Sequence, residues 1–209
     1  GSHNQADYNG FKMIVGKDSL CGSGISFLQE QIFTRAKLKS SFNSQAGNIS
    51  TINSQTPYLA NLLNISKDRI GSRKLKIVTD AGNGVAGLVG PELLKNLGVE
   101  VIELFSDLDG NFPNHHPDPS IESNLNELRR VVLKENADLG IAWDGDADRI
   151  GLIDELGNFI TGDKILYFLT LQLLEEVSNP TVLVDVKFSQ VVINQLEKKG
   201  CRVLMGKTG

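Results

Sequence analysis

Three aspartates at alternate positions, in Asp144-Gly-Asp146-Ala-Asp148, followed directly by Arg149, are the residues of this chain best suited to chemistry. Carboxylate oxygens are the ligands that hard divalent cations take, and Gly145 and Ala147 leave the backbone between them free to curl. Arg149 adds a permanent positive charge of the kind that pairs with phosphate. A cation combined with a guanidinium points to phosphoryl transfer. The flanks, Leu139-Gly-Ile-Ala-Trp143 and Ile150-Gly-Leu-Ile153, are apolar, so the carboxylates stand at the ends of buried strands. Unpaired they would repel one another, and a bound cation offsets that repulsion. A calcium EF-hand uses a related spacing, with Glu155 closing the loop, but Arg149 stands where that motif needs glycine and the flanks read as strands instead of helices.

A nucleophile is available at the start of the chain. Gly1-Ser2-His3-Asn4 places a serine beside a histidine, and Asp7-Tyr-Asn-Gly-Phe-Lys12 brings a lysine one short loop later. Gly-Ser-His also opens many vector-derived leaders. The residues that follow argue for a native loop.

Together these segments resemble the phosphohexomutase superfamily, most closely its bacterial phosphomannomutase/phosphoglucomutase group. The resemblance covers nearly the whole chain and rests on five signatures in family order: the serine loop, Asp80-Ala-Gly-Asn-Gly-Val-Ala-Gly87, Asp109-Gly-Asn-Phe-Pro-Asn-His-His-Pro-Asp-Pro119, the aspartate loop, and Asp185-Val-Lys187 with Lys207-Thr-Gly209. It implies that Ser2 is the phosphorylated serine and that Ser2, Asp144, Asp146 and Asp148 hold Mg2+. Arg149 would lie beside them, and His3 and Lys12 would flank the transfer as candidate general acid or base. Lys187, Thr208 and Gly209 would bind the substrate, with Lys207 facing the same cleft. The implied reaction interconverts a hexose 1-phosphate and 6-phosphate of glucose or mannose through a hexose 1,6-bisphosphate. The amino-sugar enzyme phosphoglucosamine mutase is the nearest alternative, and the loop 109–119 favours the mannose/glucose group.

Two departures from the family pattern bear on the loops. Gln5 stands where a proline usually stiffens the serine loop. Ala147 replaces the commoner glycine, a mild change if its φ is negative. The family's sugar-selecting loop and last phosphate-binding domain have no counterpart here. The chain is therefore expected to be an internal fragment that needs the missing domains of its own full-length protein, and isolated activity is not expected.

The elements that position these residues follow from apolar periodicity. The expected fold class is α/β, with successive α/β domains and mixed, mainly parallel sheets, the first and last domains truncated. Residues 1–54 would end a first domain, with a strand over 11–15, a helix burying Ile25, Leu28, Ile32 and Ala36, and a mobile polar connection within 40–54. Residues 55–160 would form a second, with strands at 75–79, 101–104 and 138–143 alternating with helices, one of them carrying Leu125, Leu128 and Val132. Residues 161–209 would open a third, with helix 163–177, strand 181–186, a helix ending at 199, and strand 201–205.

Composition sets limits. A net charge of −4 and a pI near 5.4 provide no basic field for nucleic acid. No apolar run reaches the ~18 residues that span a membrane. Cys21 and Cys201 lie far apart and suggest neither a disulfide framework nor a thiolate metal site, so a reducing cytoplasm is expected. A rival of a different class is a dinucleotide-binding turn, since Gly82-Asn-Gly84-Val-Ala-Gly87 follows a strand and Glu103 falls about 20 residues on. A non-catalytic metal-binding module is a further one. His115 and His116 are adjacent and have no acidic or cysteine neighbour in sequence, so they read as part of a cleft-lining loop and not as metal ligands.

Overall fold

The structure, a computed structural model, describes residues 10–37, 48–67 and 71–207. Ser2, His3, Gln5, Thr208, Gly209 and most of the polar connection expected within 40–54 lie outside these residues. The first described segment folds locally. Gly16, at φ 67°, turns the chain between β1 (Ile14–Val15) and β2 (Asp18–Ser19), which pair antiparallel. The strand expected over 11–15 is cut to its last two residues, because β2, the one strand it pairs with among the described residues, is equally short. Helix α1 (Ser23–Lys37) follows, and on its expected inner face Ile25 and Ile32 are exposed instead, 46% and 65% accessible, while Leu28 is half-buried.

After α2 (Gln55–Ser66) the chain builds its central layer: β3 (Lys76–Asp80), a 3-10 turn (Val85–Leu88), α3 (Gly90–Asn96), β4 (Glu100–Leu104), α4 (Asn126–Glu135), β5 (Leu139–Trp143), β6 (Ile150–Asp154) and β7 (Phe159–Ile160). Their order across the sheet is β4-β3-β5-β6-β7, with β4, β3 and β5 parallel and the last two antiparallel. Successive strand residues point to opposite faces, and both faces are apolar. Val78, Ala142 and Ile153 pack under Leu128, Val131 and Val132 of α4, whereas Ile77, Val99 and Ile141 pack against Leu94 of α3. Gly140 is what lets α4 close on the sheet, since a Cβ there would lie 2.8 Å from Val132 and 3.0 Å from Leu128. The result is a three-layer α/β/α unit.

The last unit repeats the pattern on a smaller scale. Helix α5 (Gly162–Glu176), β8 (Thr181–Asp185), α6 (Gln190–Lys198) and β9 (Arg202–Gly206) place two parallel strands against helices, with Val182, Val184, Ile193 and Leu196 at the core. No helix among the described residues is long and apolar enough to cross a membrane.

Candidate metal centre at the sheet edge

The order β4-β3-β5 means that the chain leaves β3 toward one side, by way of α3 and β4, and returns by way of α4 to β5 on the other. Between β3 and β5 the connections diverge, and ligands of open α/β sheets bind in the crevice that opens there, beyond the carboxyl ends of the strands. Asp80 ends β3 and Asp144 directly follows β5. The pairing of Trp143 with Ile150 makes Asp144-Gly-Asp-Ala-Asp-Arg149 the loop of a β-hairpin. The Val85 N–H donates to the Gly145 carbonyl at 3.1 Å, so the turn after β3 is fastened to that loop.

Within the loop, Asp144, Asp146 and Asp148 each present an oxygen within 4.8 Å of the others. Asp144 is fully buried, while Asp146 and Asp148 are exposed. Asp144 is set by Arg149: its Oδ1 accepts the Arg149 backbone N–H at 3.0 Å, and its Oδ2 accepts Nε and Nη2, each at 2.9 Å. Burial pushes the Asp144 carboxyl up, but the Arg149 N–H donors and charge outweigh it and hold the pKa below the usual value. Burial likewise opposes the Arg149 charge, and Asp144, Asp118 and Asp148 together raise its pKa. The guanidinium therefore serves as a clamp on carboxylates, reaching Asp118 at 3.5 Å and Asp148 at 3.7 Å, more than as a lone charge facing solvent. An anchored inner carboxylate with two exposed partners is a donor set that fits a hard, oxygen-seeking divalent ion.

Ala147 does not meet the condition of a negative φ under which its replacement of glycine would be mild. It adopts φ 64°, a left-handed conformation, immediately after the turn that its own N–H closes on the Asp144 carbonyl at 3.1 Å. The loop forms with the substitution, at a cost in strain.

The neighbouring loop supplies the residues that sequence reasoning passed over. His115 has an acidic partner after all, 35 positions away: its Nε2 lies 3.1 and 3.0 Å from the two oxygens of the fully buried Asp80. Asn83, at φ 59°, donates to the Asp107 carbonyl and accepts from Asn114, which ties the turn after β3 to the same loop. Asp118, quoted in the loop motif without a role, reaches Arg149. Only a map of the β3–β5 crossover could have joined these pairs.

The glycines of the dinucleotide-like motif have a packing explanation. A Cβ on Gly84 would lie 2.8 Å from the Gly145 carbonyl oxygen, and one on Gly87 would lie 2.1 Å from that of Ser106. Both glycines thus serve the close approach of neighbouring backbone, and the motif runs into a 3-10 turn with α3 starting at Gly90. Lys12 is exposed near β1. Lys187 and Lys207 follow β8 and β9, whose register pairs Asp185 with Gly206, so both lysines lie at the carboxyl edge of that strand pair.

A sheet of this order with an acidic hairpin at its switch point defines an α/β/α domain whose carboxylates could hold a cation, and comparison with known proteins places it. Residues 56–157 match the family described as phosphoglucomutase/phosphomannomutase, alpha/beta/alpha domain II. Over 209 residues the chain is 41% identical to a phosphomannomutase/phosphoglucomutase of Pseudomonas syringae pv. tomato, covering 100% of this chain and 43% of that protein. It is 39% identical to a phosphoglucomutase of Neisseria meningitidis, with 100% and 44% covered. The crystal structure of a phosphoglucomutase/phosphomannomutase family protein from Burkholderia thailandensis superposes with a TM-score of 0.84 at 36% identity, over 99% of this chain and 43% of that one. The chain belongs to the phosphohexomutase superfamily. It spans less than half the length of these relatives.

Proposed function

We propose that this chain carries the phosphoserine and magnesium machinery of a phosphohexomutase that interconverts the 1-phosphate and 6-phosphate of glucose or mannose. The observation that carries the reading is the convergence of Asp144, Asp146 and Asp148 at the switch point of a sheet whose relatives are named as these mutases. Ser2 is the phosphoryl carrier and, with the aspartates, a ligand of Mg2+. Magnesium, when bound, neutralises charge developing on the transferring group. In the forward step the phosphorus–oxygen bond to Ser2 Oγ breaks as a sugar hydroxyl oxygen bonds to phosphorus. The hydroxyl proton passes to Lys12 or His3. The resulting hexose 1,6-bisphosphate returns its other phosphate to Ser2.

In this reading Arg149 holds Asp144 in place and offsets charge beside the transfer. Lys187, Thr208 and Gly209 contact the sugar phosphate. Residues 1–54, 55–160 and 161–209 belong to three successive domains of the family, and turnover requires the further length that the relatives possess. A cytoplasmic location fits a chemistry that uses no disulfide, Cys21 and Cys201 both being free.

The test is calorimetric titration of the chain with Mg2+, with Ser2 unmodified and with phosphoserine installed at that position during synthesis, the modified peptide being identified by mass spectrometry. Phosphorylation should tighten magnesium binding, and Asp148→Asn should weaken it by about tenfold or more. Equal affinity in the two states would remove the phosphoserine from the ligand set.

A further inference from the structure

A contact between the buried Asp80 of β3 and His115 of the loop between β4 and α4 is used by no step of the proposed chemistry. Asp80 is wholly buried, and beyond the Gly82 N–H at 2.9 Å its partner is His115 Nε2. On the opposite side of the ring, His115 Nδ1 lies 3.0 Å from the carbonyl oxygen of His116. Both partners are acceptors. A neutral imidazole has one N–H and can satisfy one of them, whereas the imidazolium satisfies both. An ionised carboxylate left unpaired at Asp80 would be costly, which favours the same state. The imidazole is also held from the side by Phe105, edge to face at 5.4 Å.

The His116 carbonyl is the junction. It accepts the Asp118 backbone N–H at 2.8 Å as well as the imidazole. Asp118 is further fixed by Ser120, whose N–H and hydroxyl donate to its Oδ1 at 3.0 and 2.6 Å. The same Oδ1 faces Arg149 Nη1, and Arg149 clamps Asp144. A continuous set of contacts thus runs from the end of β3 to the inner carboxylate of the aspartate loop.

We propose that His115, held as an imidazolium between Asp80 and the His116 carbonyl, is a positioning residue that acts through Asp118 to set Arg149 against Asp144. The proposal rests on reading Asp144, Asp146 and Asp148 as a magnesium site. The charged groups around the ring are Asp80 from β3 and His116 and Asp118 from its own loop; Arg149, from the hairpin, meets Asp118. Burial lowers the His115 pKa, but the bond to Asp80, its charge and the His116 carbonyl overcome this and leave it raised. A raised value means that the brace is complete below the ordinary histidine pKa and is lost as pH rises through the raised one. Loosening is therefore expected on the alkaline side.

Side-chain nitrogen NMR of the labelled chain tests this directly. At neutral pH both ring nitrogens of His115 should carry protons, and the Arg149 Nε–H should exchange slowly relative to the exposed Arg202. His115→Gln can still donate to Asp80 but carries no charge; it should speed Arg149 exchange about threefold, weaken Mg2+ binding threefold to tenfold, and abolish the wild-type loss of affinity above neutral pH. Asp118→Asn should reproduce the faster exchange and weaker binding. A neutral His115 at pH 7, or a folded His115→Gln with unchanged Arg149 exchange, overturns the proposal. Should His115→Gln fail to fold, the wild-type pH series decides, because Arg149 exchange must then accelerate with His115 deprotonation. If Mg2+ binds neither protein, the metal reading fails, and Arg149 exchange still decides the positioning role.

Discussion

The central sheet and the β8–β9 pair are built alike but sealed differently. In the first, Val78, Leu128, Val132 and Ile153 are inaccessible, and helices cover both faces. In the second, Val182 and Val184 are covered, while Leu183 and Leu204 on the opposite face remain 70% and 40% exposed. The aspartate loop springs from the sealed sheet, and Lys187 and Lys207 from the half-covered one. A loop inherits its precision from the strands that launch it, so the three aspartates are fixed by this chain's own packing to a degree that the lysines are not.

The largest effect should come from breaking the seal. Leu128 touches α4's core partners and the face that Gly140 leaves open, so Leu128→Ala removes a fully buried side chain and should cost about 3 kcal/mol. Leu183→Ala should change stability by less than about 0.5 kcal/mol. Urea unfolding reads the first cleanly, since Trp143, at the end of β5, is the chain's one tryptophan. Hydrogen exchange across 181–206 reads the second. Equal costs would mean that Leu183 is buried in solution and that the contrast between the layers is false.

Acid should separate the two regions next. Burial raises the Asp144 and Asp118 carboxyls, but the Arg149 contacts at Asp144, and the Ser120 bonds with the Arg149 charge at Asp118, leave both below their ordinary values. Groups with a depressed folded-state pKa stabilise above the unfolded value, and that stability is lost as pH falls through the folded one. Trp143 fluorescence should therefore report loosening of the hairpin below the ordinary aspartate range. In Asp118→Asn the loosening should begin at higher pH. An unchanged acid midpoint in that variant would show that Asp118 does not brace Arg149.

What the sequence made legible was whatever is local. The aspartate loop could be read because its carboxylates sit two residues apart on one turn, and β3, β4, β5, β8 and β9 because apolar runs mark them, each within a residue, whereas the run over 11–15 forms only a two-residue strand. Strand β3 runs one residue further than its apolar run suggests because Asp80, a poor strand residue alone, is satisfied by the Gly82 N–H and His115. That partnership spans 35 positions, and Asp118 to Arg149 spans 31. Such pairs depend on the chain returning to lay β5 beside β3, which periodicity does not encode. Ile25 and Ile32 of α1 are exposed against expectation for the same reason: amphipathic spacing says which side is apolar, not what covers it.

Strain gives the finest contrast, between two hairpins of one sheet. At the β6–β7 turn Gly157 takes φ 81°, where glycine bears no penalty, whereas at the β5–β6 turn Ala147 takes φ 64°. A left-handed alanine costs about 1–2 kcal/mol, of which the greater freedom of glycine in the unfolded chain returns about 0.4–1. Ala147→Gly should therefore stabilise the chain by about 0.5–1 kcal/mol, and magnesium affinity should stay as it was, because the Ala147 N–H bond to Asp144 already selects the same turn. Paired chemical unfolding and magnesium titration would measure both. No gain in stability would show that the alanine relaxes out of the left-handed region in solution. A gain accompanied by weaker magnesium binding would show instead that the strained alanine helps hold the loop closed, and that the site draws on its own backbone as well as on the sealed sheet beneath it.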